Sequence, residues 1–178
     1  MFEMKARESD SATWQDEVYD LLRQHNITQF AYVPDGGHKR MIARALSDNE
    51  AEAISLTNES EGPGIMIGAD LGGSRGVVLV QSSGVGNLIN NLSIITLGRF
   101  PFLMLVSMRG DFGEGNPWQF PMGQAVEPVL QAMGISTVRI DHPQDAVRIV
   151  DFAISQAFRG RKPTAVLLSQ MLIGRKLA

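Results

Sequence analysis

The sequence predicts an α/β protein with a doubly wound, six-stranded, mainly parallel sheet and helices on both faces. Six short runs rich in β-branched and aromatic residues alternate with segments of helical periodicity, and several of these runs are apolar throughout. Strands that are apolar on both faces are typical of parallel sheets covered by crossover helices. Helix start and stop signals between the runs support the same fold class.

The elements follow in order along the chain. Residues 1–12 are polar and without periodicity, so they are predicted to form a tail, and residues 13–178 are predicted to form a single domain. Apolar residues from Trp14 to Leu22 recur at helical spacing, which predicts a first helix ending near His25. The predicted strands are Ile27–Val33, Ala53–Thr57, Val77–Gln81, Phe102–Ser107, Thr137–Ile140 and Ala165–Ser169.

Three further signals place helix ends. Asn58 can cap a helix that opens at Glu59, Gly98 can close a helix that starts at Leu88, and Pro143 follows Asp141 where the last long helix opens. The segment after Glu59 is rich in glycine and therefore intrinsically poor in helicity. We expect that helix to approach a neighbouring backbone closely, within the chain or across a subunit interface.

Composition excludes several classes of function. A net charge of -3 without any Lys/Arg run argues against nucleic-acid or membrane-surface binding, and no apolar run approaches the length of a membrane helix. The absence of cysteine excludes disulfides and thiolate zinc sites. The N-terminal segment is charged where a signal peptide needs an apolar core, so a cytoplasmic protein acting on small molecules is expected.

Ligands of open α/β sheets bind at the carboxyl ends of the strands, so the segments that leave the strands there are the predicted functional sites. One of them, Ser83-Gly84-Val85-Gly86-Asn87, is predicted to be a glycine loop whose amides can hold a polar ligand. It can equally be a tight turn whose glycines permit close packing. A dinucleotide fingerprint needs glycine at position 89, which is Ile89, so nicotinamide binding is disfavoured. A nucleotide-binding module unrelated to these motifs stays an alternative.

The motifs together resemble the pyrimidine-binding domain of thiamine-diphosphate enzymes, and within that superfamily the sulfopyruvate and phosphonopyruvate decarboxylases. The resemblance runs from about Thr13 to Ser169. It is carried by these segments: Asn58-Glu59 with Gly68 nine residues after the glutamate, Val78 to Asn87, Val33-Pro34-Asp35, Arg109-Gly110, and Leu130 to Ile135.

The resemblance implies thiamine diphosphate as cofactor and a catalytic role for Glu59. Glu59 matches the family carboxylate that binds N1′ of the cofactor's pyrimidine and favours the tautomer that activates the thiazolium. Glu61 is a rival carboxylate, but the register to Gly68 favours Glu59. The residues expected at the cofactor are Glu59, Ser83, Gly84, Gly86 and Asn87, and those expected at the substrate are Pro34, Asp35, Gly36, His38 and Arg109.

Several of these assignments have alternatives. His38 can donate to the substrate or shuttle a proton, or it can be a solvated loop residue. The candidates for binding the substrate's anionic groups are Lys39, Arg40, Arg99 and Arg109, and Arg109 is favoured because it follows a strand and precedes Gly110. The Gly- and Pro-rich loop at 111–124, with Trp118 and Met122-Gly123-Gln124, is interpreted as a lid or an interface segment.

One family motif is missing from the chain. These enzymes hold the diphosphate through Mg²⁺ with Gly-Asp-Gly and a later Asn, but Gly110-Asp111-Phe112-Gly113 departs from that motif and no Asn follows near Val138 to Asp141. The resemblance therefore implies an alpha-type subunit with no metal ligands of its own, which associates with itself and with a beta-type subunit that binds Mg²⁺. The implied reaction converts 3-sulfopyruvate to sulfoacetaldehyde and CO₂. A phosphonopyruvate decarboxylase subunit and a non-catalytic regulatory subunit are the alternatives.

Overall fold

A six-stranded, wholly parallel sheet forms the centre of the molecule. The computed structural model describes residues 13–174. The strand order is β2-β1-β3-β4-β6-β5, and every neighbouring pair is parallel. The strands are β1 (Ile27–Tyr32), β2 (Glu52–Ser55), β3 (Arg75–Gln81), β4 (Leu103–Ser107), β5 (Ser136–Ile140) and β6 (Thr164–Leu168). The predicted doubly wound fold is confirmed.

Helices cover both faces of the sheet. They are α1 (Trp14–Gln24), α2 (Lys39–Ser47), α3 (Gly62–Leu71), α4 (Ser82–Leu88), α5 (Leu92–Gly98), α6 (Phe120–Ala132), α7 (Ala146–Ile154) and α8 (Gln170–Ile173). α1, α2 and α7 pack on one face, and α3 to α6 pack on the other. In β3, Val77 and Leu79 face the first layer and Val78 and Val80 the second. Because both faces are buried, the strand is apolar throughout.

Two helix predictions need correction at their boundaries. The helix that ends at Gly98 begins at Leu92 rather than Leu88, because the chain bends through two short turns at residues 89–91. The residue after it, Arg99, has a left-handed backbone with φ of 54°. Asn58 caps a single 3₁₀ turn, Glu59–Glu61, before α3 begins, and its side chain accepts a hydrogen bond from the Ser60 amide at 2.9 Å.

The loop predicted at 111–124 is shorter than expected. A 3₁₀ turn, Pro117–Gln119, leads directly into α6, so Met122-Gly123-Gln124 is helical. Pro121 lies at the start of α6, where the missing N–H has no cost. Within residues 13–174, no helix is long and apolar enough to span a membrane. The predicted tail and the last four residues of the predicted domain lie outside the described residues, so the domain boundary stays a prediction.

Candidate active site

Glu59 and Gly84 meet at the carboxyl edge of the sheet. Glu59 opens the 3₁₀ turn after β2, and its carboxylate lies against the α-carbon of Gly84 in α4. A β-carbon on residue 84 would overlap that carboxylate. The prediction of a glycine loop at 83–87 is therefore wrong, because these residues are helical. Gly84 lacks a side chain where the carboxylate approaches the helix.

Asn87 orients the same carboxylate. Its side-chain Nδ2 donates a hydrogen bond to Glu59 Oε2 at 2.8 Å. Residues 84 and 87 share one face of α4, since positions three apart on a helix are neighbours. The rival Glu61 is exposed, and its carboxylate makes no hydrogen bond or ion pair with residues 13–174. Of the two carboxylates, Glu59 is therefore the one that contacts α4.

Asp35 joins the ends of three neighbouring strands. Its Oδ2 accepts hydrogen bonds from the Gly37 amide at 2.8 Å and from Ser107 Oγ at 2.6 Å, and its Oδ1 accepts one from Gln81 Nε2 at 2.8 Å. Burial by itself raises the pKa of Asp35, but these hydrogen bonds and nearby His38 outweigh it and lower the pKa below its usual value. Asp35 is therefore held as a carboxylate, beside the exposed Pro34 and Gly36.

Gln81 extends this network to α4. Its Oε1 accepts a hydrogen bond from Ser83 Oγ at 2.7 Å, so Asp35, Gln81 and Ser83 form a chain from the turn after β1 to α4. Sequence reasoning missed Gln81 and Ser107. Each is the polar last residue of an otherwise apolar strand, and that position at the carboxyl edge was the available signal.

His38 is buried in the domain and only 1% exposed. Its Nε2 lies 3.1 Å from the Val80 carbonyl oxygen. Burial lowers the pKa of His38, although the Asp35 charge and the Val80 and Leu105 carbonyls oppose it. Nε2 donates in this contact, because a carbonyl oxygen only accepts. The alternative of a solvated loop residue is wrong, because His38 is buried. Its predicted role at the substrate stays a prediction.

Arg109 is bound by a residue that the sequence did not single out. Its Nε and Nη2 each donate to the carboxylate of Glu114 at 2.6 Å. Its backbone N–H donates to Ser82 Oγ at 3.0 Å. Substrate binding by Arg109 stays a prediction, and two of its three side-chain nitrogens are already used. No sequence pattern marked Glu114, since one carboxylate in a polar loop resembles any solvated residue.

The other predicted cations differ in position. Arg40 forms an ion pair with Asp16 at 2.7 Å. Arg99 ends α5 just before β4 begins, so it lies at the opposite edge of the sheet from Glu59. Lys39 is exposed and lines a groove of about 500 Å³ with Pro34, Asp35 and Gly36. Among the predicted cations, Lys39 therefore lies beside the turn after β1 and forms no ion pair with another described residue.

Asp111, the acid of the incomplete magnesium motif, has partners within the domain. It forms an ion pair with Arg139, and its carboxylate also accepts from the Gln170 amide at 3.3 Å. Among residues 13–174, no three His, Asp or Glu side chains are clustered as the ligands of a metal ion would be.

The parallel sheet, the Glu59 turn and α4 form one α/β domain with a carboxylate at the carboxyl ends of its strands. The chain is similar to the 2-oxoglutarate:ferredoxin oxidoreductase from Magnetococcus marinus, with a TM-score of 0.71 and 12% identity over 91% of this chain and 29% of that one, which supports the fold. No model of a protein family matches the chain.

Proteins related in sequence identify a narrower family than the fold does. The alpha subunit of sulfopyruvate decarboxylase from Methanocaldococcus jannaschii is 32% identical over 86% of this chain and 92% of its own length. A sulfopyruvate decarboxylase from Methanosarcina acetivorans is 31% identical, and this chain spans 40% of it. A phosphonopyruvate decarboxylase from Streptomyces viridochromogenes is 29% identical, and the chain spans 38% of it. The chain belongs to the family of sulfopyruvate decarboxylase alpha subunits.

Proposed function

We propose that this chain is the alpha-type subunit of a thiamine-diphosphate-dependent decarboxylase that converts 3-sulfopyruvate to sulfoacetaldehyde and CO₂. The names of the relatives support the substrate and the reaction. The observation that carries the proposal is the position of the Glu59 carboxylate, which fits the space left by Gly84 and is oriented by Asn87.

The residues around Glu59 fit the cofactor's aminopyrimidine. Oε2 is taken by Asn87, whereas Oε1 accepts no hydrogen bond from residues 13–174, so it can bind a ring N–H. Ser83, Gly84 and Gly86 on the same helix would line the ring. When bound, the thiazolium serves as the electron sink for the loss of CO₂. The task of Glu59 is to hold a proton at the pyrimidine nitrogen.

A partner subunit is the second part of the proposal. Glu59 is only partly buried in this chain, and the single-chain relative has more than half of its length beyond the part matched here. A beta-type partner would bind the diphosphate and Mg²⁺ and cover Glu59. The exposed face of α3 supports such a contact, because Gly64 and Gly68 face open space and Leu71 is 75% exposed. Self-association and a cytoplasmic location remain predictions.

The substrate side of the site is proposed around the turn after β1. Pro34, Asp35 and Gly36 would contact the oxo acid, and Arg109 would attract its negative charge. Lys39, in the groove beside this turn, is a second cation for a carboxylate or sulfonate. Asp35 is fixed by three hydrogen bonds, so it would orient the substrate without moving.

The test is reconstitution with a candidate beta-type chain from a neighbouring reading frame. We expect CO₂ release from 3-sulfopyruvate by the pair, with thiamine diphosphate and Mg²⁺, and none by either chain alone. Glu59→Gln should abolish most turnover, whereas the matched Glu61→Gln should retain it. Turnover by the isolated chain would disprove the divided site, and an active Glu59→Gln enzyme would disprove the assigned role.

Phosphonopyruvate is the alternative substrate, favoured by the relative that carries that name. Both acids are assayed in parallel, and a higher kcat/KM for phosphonopyruvate would replace the first proposal. If the pair binds thiamine diphosphate but decarboxylates neither acid, the regulatory alternative holds.

A further inference from the structure

Glu114 is a buried acid that the proposed chemistry does not use. Its side chain has no exposed surface, although it lies in the loop between β4 and α6. Besides Arg109, its carboxylate accepts from the Asn116 amide at 2.9 Å, the Gly110 amide at 3.2 Å and Gln170 Nε2 at 2.9 Å. The Arg109 guanidinium and the backbone amides of Asn116 and Gly110 outweigh burial and hold the pKa of Glu114 far below its usual range, so it stays charged.

These hydrogen bonds connect the two ends of the loop. Gly110 and Asn116 stand on either side of Glu114, so the carboxylate closes the loop on itself. Gln170 in α8 also binds this loop, because its Oε1 accepts hydrogen bonds from the Asp111 and Phe112 amides at 2.9 and 3.0 Å. A loop whose backbone makes this many hydrogen bonds to two side chains is expected to move little.

Arg109 connects this loop with the residues around Glu59. Its backbone N–H binds Ser82, the first residue of the helix that carries Gly84 and Asn87. Its carbonyl lies so close to Gly123 in α6 that a β-carbon there would overlap it. Glu114, and to a smaller extent the Asp35 charge, raise the pKa of the Arg109 guanidinium. Within the described residues, Nη1 is the side-chain nitrogen of Arg109 that makes no hydrogen bond.

We propose that Glu114 is a positioning residue, which fixes Arg109 through Nε and Nη2 so that Nη1 is available to an anionic group of the substrate. This inference rests on the proposed function. Glu114 does not touch the substrate itself. A bidentate pair fixes the plane of a guanidinium, which a single hydrogen bond does not.

The test compares Glu114→Gln with a matched control. Glutamine keeps the size but has one acceptor oxygen, so it cannot bind Arg109, both amides and Gln170 as the carboxylate does. In the reconstituted enzyme we expect KM for the oxo acid to rise about tenfold, with kcat changed by less than about threefold. The control is Asp48→Asn, which removes a carboxylate that binds Arg23 at 2.8 Å just before β2, at the opposite edge of the sheet. It should leave KM unchanged.

Hydrogen exchange on the full chain gives a second readout that needs no turnover. In Glu114→Gln, at least one of the Gly110 and Asn116 amides should exchange at least about tenfold faster, because glutamine keeps only one of the two oxygens that accept from them. If that variant does not fold, Gln170→Leu should speed exchange at Asp111 and Phe112 and raise KM in the same direction.

The outcomes separate the two proposals. A wild-type pair without turnover disproves the proposed function, while the exchange rates still decide whether Glu114 orders the loop. An active pair in which Glu114→Gln has the KM of Asp48→Asn disproves the positioning role. If Glu114→Gln and Asp48→Asn lower kcat equally, the contribution of Glu114 is merely structural, which also disproves the positioning role.

Discussion

The Glu59 carboxylate occupies the space that the missing side chain of Gly84 leaves, and Asn87, one turn further along α4, donates to it. Two segments far apart in the chain thereby build one site: the turn after β2 supplies the acid, and the helix after β3 supplies the space and the donor. Gly84 therefore provides space for a carboxylate. A phosphate-binding glycine loop would instead bind its ligand through free backbone amides.

Gly84→Ala tests this relationship. Alanine favours a helix over glycine by about 1 kcal/mol, and the partly exposed Glu59 side chain can rotate away, so the free energy of unfolding should change little. The carboxylate would lose its position, and we expect kcat to fall about 100-fold. Turnover and chemical denaturation measure the two effects.

Gly86→Ala is the comparison, since its β-carbon would lie 3.4 Å from Met122 Sδ and away from Glu59. Its loss of kcat should be clearly smaller. Equal losses in the two variants would contradict a specific role for the Glu59–Gly84 contact.

Much of the fold could be predicted from sequence, because strands buried on both faces produce apolar runs such as Val77–Val80, and such runs are visible without a structure. Glu59 could be selected by its register to Gly68. The secondary structure of its neighbours could not, because Gly84 and Gly86 have low helix propensity, and only the approach of Glu59 explains the glycine at 84.

The polar contacts between loops were beyond sequence reasoning. The sequence leaves open whether His38 is solvated, because the Val80 carbonyl that it contacts lies on another strand. The sequence favours Arg109 as a cation for the substrate's anionic groups, and its partner Glu114 lies in a loop without a recognisable sequence pattern. Such pairs are specified by tertiary packing, and no local period marks them.

Gly68→Ala tests whether a partner approaches α3. Residue 68 is exposed within the helix, with space for a β-carbon, so alanine should stabilise the isolated chain by up to about 1 kcal/mol. If the proposed beta-type chain packs against this face, the added methyl group should weaken the complex by about tenfold in Kd. Unfolding of the isolated chain and titration with the partner measure both.

The control for that experiment is Gln24→Ala, an exposed substitution on α1 in the opposite layer, which should leave Kd unchanged. If Gly68→Ala binds the partner with the wild-type Kd, the partner binds another surface.

The buried His38 predicts a pH dependence of stability. Burial lowers its pKa in the folded chain, so the unfolded chain binds the proton more readily. Stability from the neutral ring is complete above the unfolded value of about 6.5 and is lost as the pH falls toward the lower folded pKa. Between pH 7.5 and 5.5 this amounts to at most about 1.4 kcal/mol.

Urea unfolding at both pH values, in wild type and His38→Gln, measures this dependence. Glutamine can still donate to the Val80 carbonyl but does not titrate, so this variant should lose less stability at pH 5.5 than wild type. His142→Gln replaces an exposed histidine and should behave as wild type. The same pH dependence in all three chains would mean that other groups produce it, and that protonation of His38 is not opposed by its surroundings.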